Sequence, residues 1–143
     1  MKFGFALLSL TVALGAAAHE YSFGKLNILH PWSGITRGGL KTGAIYVTFV
    51  NDGPNSDKLL KVSSPIAKTA MIHANIKEGD VTRMRMMDSV EIPAGGTIEM
   101  QPGGTHIMLE GLDHPLKDGE MFPLTLTLAN EGEVHVEVIV ADN

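Results

Sequence analysis

The sequence predicts an all-β fold, a Greek-key sandwich or barrel. Three observations predict it. About eight to nine short stretches are rich in apolar and β-branched residues, several in strict alternation; turn signals divide them at close intervals; and no stretch reads as a long helix. At 143 residues the chain suits one domain with a substantial core.

The elements follow in order. Gly24 to His30 reads as the first strand, ended by His30-Pro31-Trp32 because Pro31 cannot donate to a ladder. Trp32, the only tryptophan, is expected to pack on the core. Ser33 to Thr42 is a glycine-rich loop carrying Arg37 and Lys41. Gly43 to Asn51 is a strand with Ile45, Val47 and Phe49 on one face and Tyr46, Thr48 and Val50 on the other. Asn51-Asp52-Gly53-Pro54-Asn55 is a turn. Asp57 to Ser63 is a strand broken by Ser64-Pro65. A hairpin follows, with Ile72, Ala74 and Ile76 on its apolar face and Met71, His73 and Asn75 on the other. Ser89 to Ile92, Thr97 to Met100 and Thr105 to Glu110 are short strands separated by Pro-Ala-Gly-Gly and Gln-Pro-Gly-Gly turns. Asp113 to Glu120 is a polar loop, with His114 exposed in it. Phe122, Leu124, Leu126 and Leu128 face inward, as do Val134, Val136, Val138 and Val140; His135 and Glu137 face solvent.

Composition narrows the function. The formal charge of −5 argues against a phosphate-binding basic surface, so no nucleic-acid partner is expected. Residues 1–18 read as a secretory signal: Lys2, an apolar run from Phe3 to Leu14, then Ala16-Ala17-Ala18. The domain is then 19–143, with 10 basic and 16 acidic residues, a charge of −6. The apolar run is too short to span a bilayer, and no other stretch is longer. A periplasmic protein with no membrane span in its mature chain is expected, and a monomer. There is no cysteine, so disulfides, lipidation at a lipobox and thiolate metal sites are all excluded. No catalytic constellation is present, so the chain is not read as an enzyme.

The stretch from His73 to Met108 carries the chemistry. Imidazole and thioether both ligate copper, and thioether sulfur selects Cu(I) over harder cations. A hairpin turn at Glu78-Gly79, or a four-residue loop from Lys77 to Asp80, sets His73 opposite Met84 and Met71 opposite Met86. His106 and Met108 lie two apart and share a strand face, while Ile107 and Leu109 point into the core. If that strand lies beside the hairpin, two nitrogens and two sulfurs converge. Met71 and Met86 share these faces; they could support the site or act as alternative ligands, but the reading favours packing, and His30 is read as structural. His19, the first residue after Ala18, could chelate Cu(II) with the terminal amine.

The spacing His73-x10-Met84-x21-His106-x-Met108 resembles the motif of the periplasmic copper chaperones of the PCuAC family. His30-Pro31-Trp32, EIPAGG at Glu91–Gly96, PGGTHIMLEGL at Pro102–Leu112, and PLKDGE followed by PLTLTL extend the resemblance over nearly the whole mature chain. It implies a cupredoxin-like β-sandwich that holds one Cu(I) through His73, Met84, His106 and Met108. It also implies delivery to the copper-site subunit of cytochrome c oxidase, together with a thiol-containing assembly factor. The glycine-rich segment after Trp32 departs from many members. The sequence ends at Asn143 without the His- and Met-rich tail of some relatives, so no extra Cu(II) capacity from such a tail is expected. The rival readings are copper storage or resistance, a copper enzyme built on His19, and a metal-free Ig-like interaction domain. An electron-transfer blue-copper site needs a cysteine and is excluded.

Overall fold

The structure, a computed structural model, describes residues 20–142. The signal segment 1–18 and His19 lie outside the described residues. Among those described, none is helical and eleven strands form: β1 (Glu20–Phe23), β2 (Leu26–Gly34), β3 (Thr42–Asn51), β4 (Asp57–Ser63), β5 (Ala67–Glu78), β6 (Val81–Met87), β7 (Val90–Ile92), β8 (Thr97–Glu99), β9 (His106–Leu112), β10 (Met121–Leu128) and β11 (Gly132–Ala141). Hydrogen bonds join them in the order β6-β5-β9-β3-β2-β11-β10-β4-β7, with β1 on β2 and β8 on β3. β2 and β11 pair in a short parallel contact, and β4 also lies against β5. The result is a single-domain cupredoxin-like β-sandwich of the Greek-key class.

The core lies between the layers and follows the alternation. Ile45, Val47 and Phe49 of β3 and Ile107 and Leu109 of β9 meet Phe122 to Leu128 of β10 and Val134 to Val140 of β11. Each such side chain removed from water contributes about 1.5–3 kcal/mol. Buried polar groups are paired: Asp57 accepts from the backbone N–H of Lys58, Asn130 and Glu131, which pins the turn before β11.

The first strand differs from expectation. The predicted strand Gly24 to His30 starts two residues later, at Leu26 of β2: Gly24-Lys25 is a tight turn, with Gly24 at φ +59, that joins β2 to an additional strand, β1. β2 then runs through Pro31 to Gly34. His30 sits at φ +46, and the β2–β3 register shifts between Leu29 and Trp32. The extra residue inverts which parity faces inward: Leu26 and Ile28 are buried before it, Pro31 and Ser33 after it. Trp32 is therefore turned out of the core. It lies half-buried on the outer face of the sheet, its ring 4.7 Å from that of Tyr46. Pro31 causes no break because the bulge takes up the position where a ladder N–H would be needed.

Candidate metal centre

The outer face of β5, β6 and β9 gathers the site. β5 lies between the other two strands. Across to β9, His73 is opposite His106 and Met71 opposite Met108. Across to β6, His73 is opposite Met86 and Asn75 opposite Met84.

The β5–β6 register thus corrects the expected one, in which His73 faced Met84 and Met71 faced Met86. The turn is Gly79-Asp80, closed by the pair Glu78–Val81. Gly79 takes the first central position at φ +62, and Asp80 keeps a negative φ. That is the type II′ pattern, which needs glycine first, whereas the expected loops placed Gly79 second of two residues or third of four. The slip is two residues, so every side chain stays on its predicted face; a slip of one would have inverted them all. Met84 becomes the diagonal neighbour of His73. Diagonal pairs are reachable by a long flexible side chain, and the Met84 sulfur lies 3.1 Å from His73 Nδ1.

The two imidazoles meet edge to face, ring centres 5.7 Å apart. His106 is only 5% exposed. Its Nδ1–H donates to the Gly104 carbonyl at 2.9 Å, and a carbonyl can only accept, so Nε2 is left with a free lone pair. The loop that supplies this carbonyl is tied down in turn: Asn75 donates from Nδ2 to the Gly103 carbonyl at 2.6 Å. Gly103 sits at φ +84, which only glycine adopts without strain. Tyr46 stands beside His106 with ring centres 6.3 Å apart, and burial holds its phenol above the ordinary pKa, hence neutral.

His73, Met84 and His106 are therefore brought within direct reach. Met108 lies two residues from His106 on the same face, half-buried opposite Met71. The donors grade from the covered β9 side to the open β6 side, where Met84 is 55% exposed. Among the described residues no three of His, Asp and Glu cluster as a metal site. The groups at this face that could hold a metal are imidazoles and thioethers, a soft set that would suit Cu(I). Bonds of about 2.0 Å to nitrogen and 2.3 Å to sulfur at the tetrahedral angle separate two ligand atoms by roughly 3.5 Å, close to the His73–Met84 spacing.

Sequence reasoning put Asn75 on the face of His73 without giving it a role, and did not connect Tyr46 or Trp32 with this face. Their outward direction was readable for Asn75 and Tyr46 from the alternation. Their proximity to His106 was not, because it depends on strand pairs distant in sequence. His135 faces solvent, accepting or donating to Thr125 Oγ1 at 3.0 Å. His114 is open to solvent in its loop as expected, its side chain 41% accessible, and is gripped between the carboxylates of Asp113 and Glu120.

Similar proteins share the fold. The family profile described as LpqE-like, a lipoprotein family, matches residues 26–140. The copper-bound PCuAC domain from PmoF2 is 26% identical, with a TM-score of 0.75 over 87% of this chain and 99% of that one. The apo PCuAC domain from PmoF1 is 29% identical, with a TM-score of 0.75 over 87% of this chain and all (100%) of that one. The solution structure of CuI-DR1885 from Deinococcus radiodurans is 28% identical, with a TM-score of 0.68 over 92% of this chain and 86% of that one. No curated protein matches the sequence.

Proposed function

The chain belongs to the LpqE-like family, and from that premise we propose that it is a copper-binding protein of the PCuAC type, a Cu(I) carrier rather than an enzyme. The observation that carries the reading is the meeting of His73, His106 and the Met84 sulfur on one open sheet face. His73, Met84, His106 and Met108 would hold one Cu(I). All four donors are neutral, so the site carries only the ion's charge, and the thioethers disfavour Cu(II). Its open β6 side lets an incoming ligand attack the ion, which suits delivery better than storage. The recipient we propose is the copper-site subunit of cytochrome c oxidase, with a thiol-containing assembly factor in the same exchange. We read residues 1–18 as a signal peptide that sends domain 19–143 to the periplasm, and the family's description as lipoproteins supports an envelope location.

The test is an anaerobic Cu(I) titration of the 19–143 protein against a competing chelator. Wild type is expected to bind one Cu(I) tightly. His106→Ala/Met108→Ala, checked for folding by circular dichroism, is expected to lose it. Equal binding by both folded proteins would remove the four-ligand assignment. No binding by either would leave the metal-free interaction domain.

A further inference from the structure

We propose that Met86 is a further copper ligand, forming with His73 and Met84 an outer position on β6 through which the ion enters and leaves. The proposal rests on the copper-carrier reading above and adds a residue and a route to it.

The corrected register makes the case. Met86, not Met84, is the residue directly opposite His73. Directly opposed residues hold their Cβ atoms about 4.5–5.5 Å apart, and a methionine has enough rotatable bonds to swing its sulfur onto an ion held by that histidine. Met84, two residues along the same face, already places its sulfur at His73. One imidazole therefore has two thioethers within reach on the β6 side.

Packing does not account for Met86. It is 62% exposed, more than any other large hydrophobic side chain named as exposed here, while Met100 is buried at 3% as a core filler should be. β6 pairs only with β5 among the described strands, and none of its residues is buried. A free edge strand is normally kept polar or charged. β6 obeys that rule at Arg83 and Arg85, which project to the opposite face, and breaks it at Met84 and Met86, which share the face of His73. Two exposed thioethers beside an imidazole are what a soft ion needs.

The donors then form two overlapping sets that share His73 and Met84. The inner set adds His106 and Met108 from β9, and His106 is nearly closed to water. The outer set adds Met86, which like Met84 is open to solvent. Passage from inner to outer breaks the bonds to His106 and Met108 and forms one to Met86. No electron or proton moves, because every donor is neutral and the ion stays Cu(I). Cu(I), a closed-shell ion, imposes little geometric preference, so a lower-coordinate outer state is accessible. A recipient's thiolate can then displace weakly held thioethers one at a time rather than reach a covered imidazole.

The experiment compares wild type with Met84→Leu, Met86→Leu, the double variant, and Met121→Leu as a control. Met121 is 46% exposed on β10, outside the metal face. Leucine keeps the apolar bulk and removes the sulfur. Anaerobic competition gives Cu(I) affinity, stopped-flow transfer to a thiolate chelator gives the release rate, and X-ray absorption counts sulfur ligands. Met86→Leu should keep affinity within about three-fold and slow transfer roughly ten-fold; the double variant should lose roughly 100-fold in affinity, more than the two single losses multiplied. Met121→Leu should match wild type. The proposal is overturned if Met86→Leu matches wild type in both readouts and the double variant is no worse than Met84→Leu alone. If wild type itself binds no Cu(I), the carrier reading falls too; if it binds and Met86→Leu is silent, only this inference falls.

Discussion

In the β10–β11 hairpin, Phe122, Leu124, Leu126 and Leu128 and their partners Val134, Val136 and Val138 all point inward and are nearly closed to water. The β5–β6 hairpin has the same construction, two paired strands and a glycine at positive φ by the turn, yet of its 19 strand residues only Ile72 is buried. The first hairpin spends its alternation on the core. The second overhangs the sandwich and turns one face, with His73, Met84 and Met86, to solvent and to β9. One pattern of residues thus yields either stability or a site, and what decides is whether the second layer covers the strand.

The largest expected effect separates the two on stability. Phe122→Ala should cost about 3–5 kcal/mol, the loss of a buried aromatic plus the cavity it leaves. Met84→Ala should stay within about 0.5 kcal/mol, as exposed substitutions do. Denaturant unfolding measures both, with copper removed. A large loss at Met84 would mean that the β5–β6 hairpin contributes to the core in a way its exposure denies.

A smaller effect distinguishes the turns. Gly79 at φ +62 and Gly132 at φ +76 both have open space where a Cβ would go, so a substitution there meets only backbone strain. Valine at either should cost about 1–2 kcal/mol, the penalty of a branched side chain in the left-handed region. The consequence for copper differs. Gly79→Val should disturb the register that brings Met86 and Met84 to His73 and weaken Cu(I) binding. Gly132→Val should leave it unchanged. Equal copper affinity in the two variants would detach the site from the β5–β6 turn.

These two hairpins also mark how far the sequence could be read. Alternation reports faces, so the inward leucines and valines, and the outward His73, Met84, His106 and Met108, were all legible. Register is set by turn geometry, and Glu78-Gly79-Asp80 accommodates several turns; only the structure shows glycine taking the first central position. Trp32 was misplaced because a bulge at His30 inverts parity without leaving a mark in the residue pattern. The opposition of His73 and His106 joins strands with three others between them in the chain, and no local signal encodes it. The spacing of the copper motif announced that these residues belong together, but not that Met86 stands nearer the register of His73 than Met84 does.

The smallest expected effect concerns histidines and separates the two regions by the sign of their pH response. At the metal face, His73 and His106 meet a thioether and a carbonyl, and protons compete with copper for their ring nitrogens, so Cu(I) binding should weaken in acid. His114, in the loop that leads into β10, meets carboxylates instead. Hydrogen bonds to Glu120 and then Asp113 hold its pKa above the ordinary value of 6.5. Burial pushes Glu120 up, but the Lys117 backbone N–H and His114 together outweigh it, so Glu120 lies below its ordinary value of 4.5. The His114 contribution is therefore complete below 6.5 and fades as pH rises through the raised value; the Glu120 contribution is complete above 4.5 and fades as pH falls through the lowered one. Both are fully present only between those limits. The loop is exposed enough for solvent to screen the pair, so the gain is small. His114→Gln should lower the thermal midpoint most between pH 4.5 and 6.5, converge with wild type at alkaline pH, and leave Cu(I) affinity untouched at every pH. A gap that instead widened above the raised His114 pKa would mean that neutral His114 stabilises the loop, and the opposition between the two regions would fail.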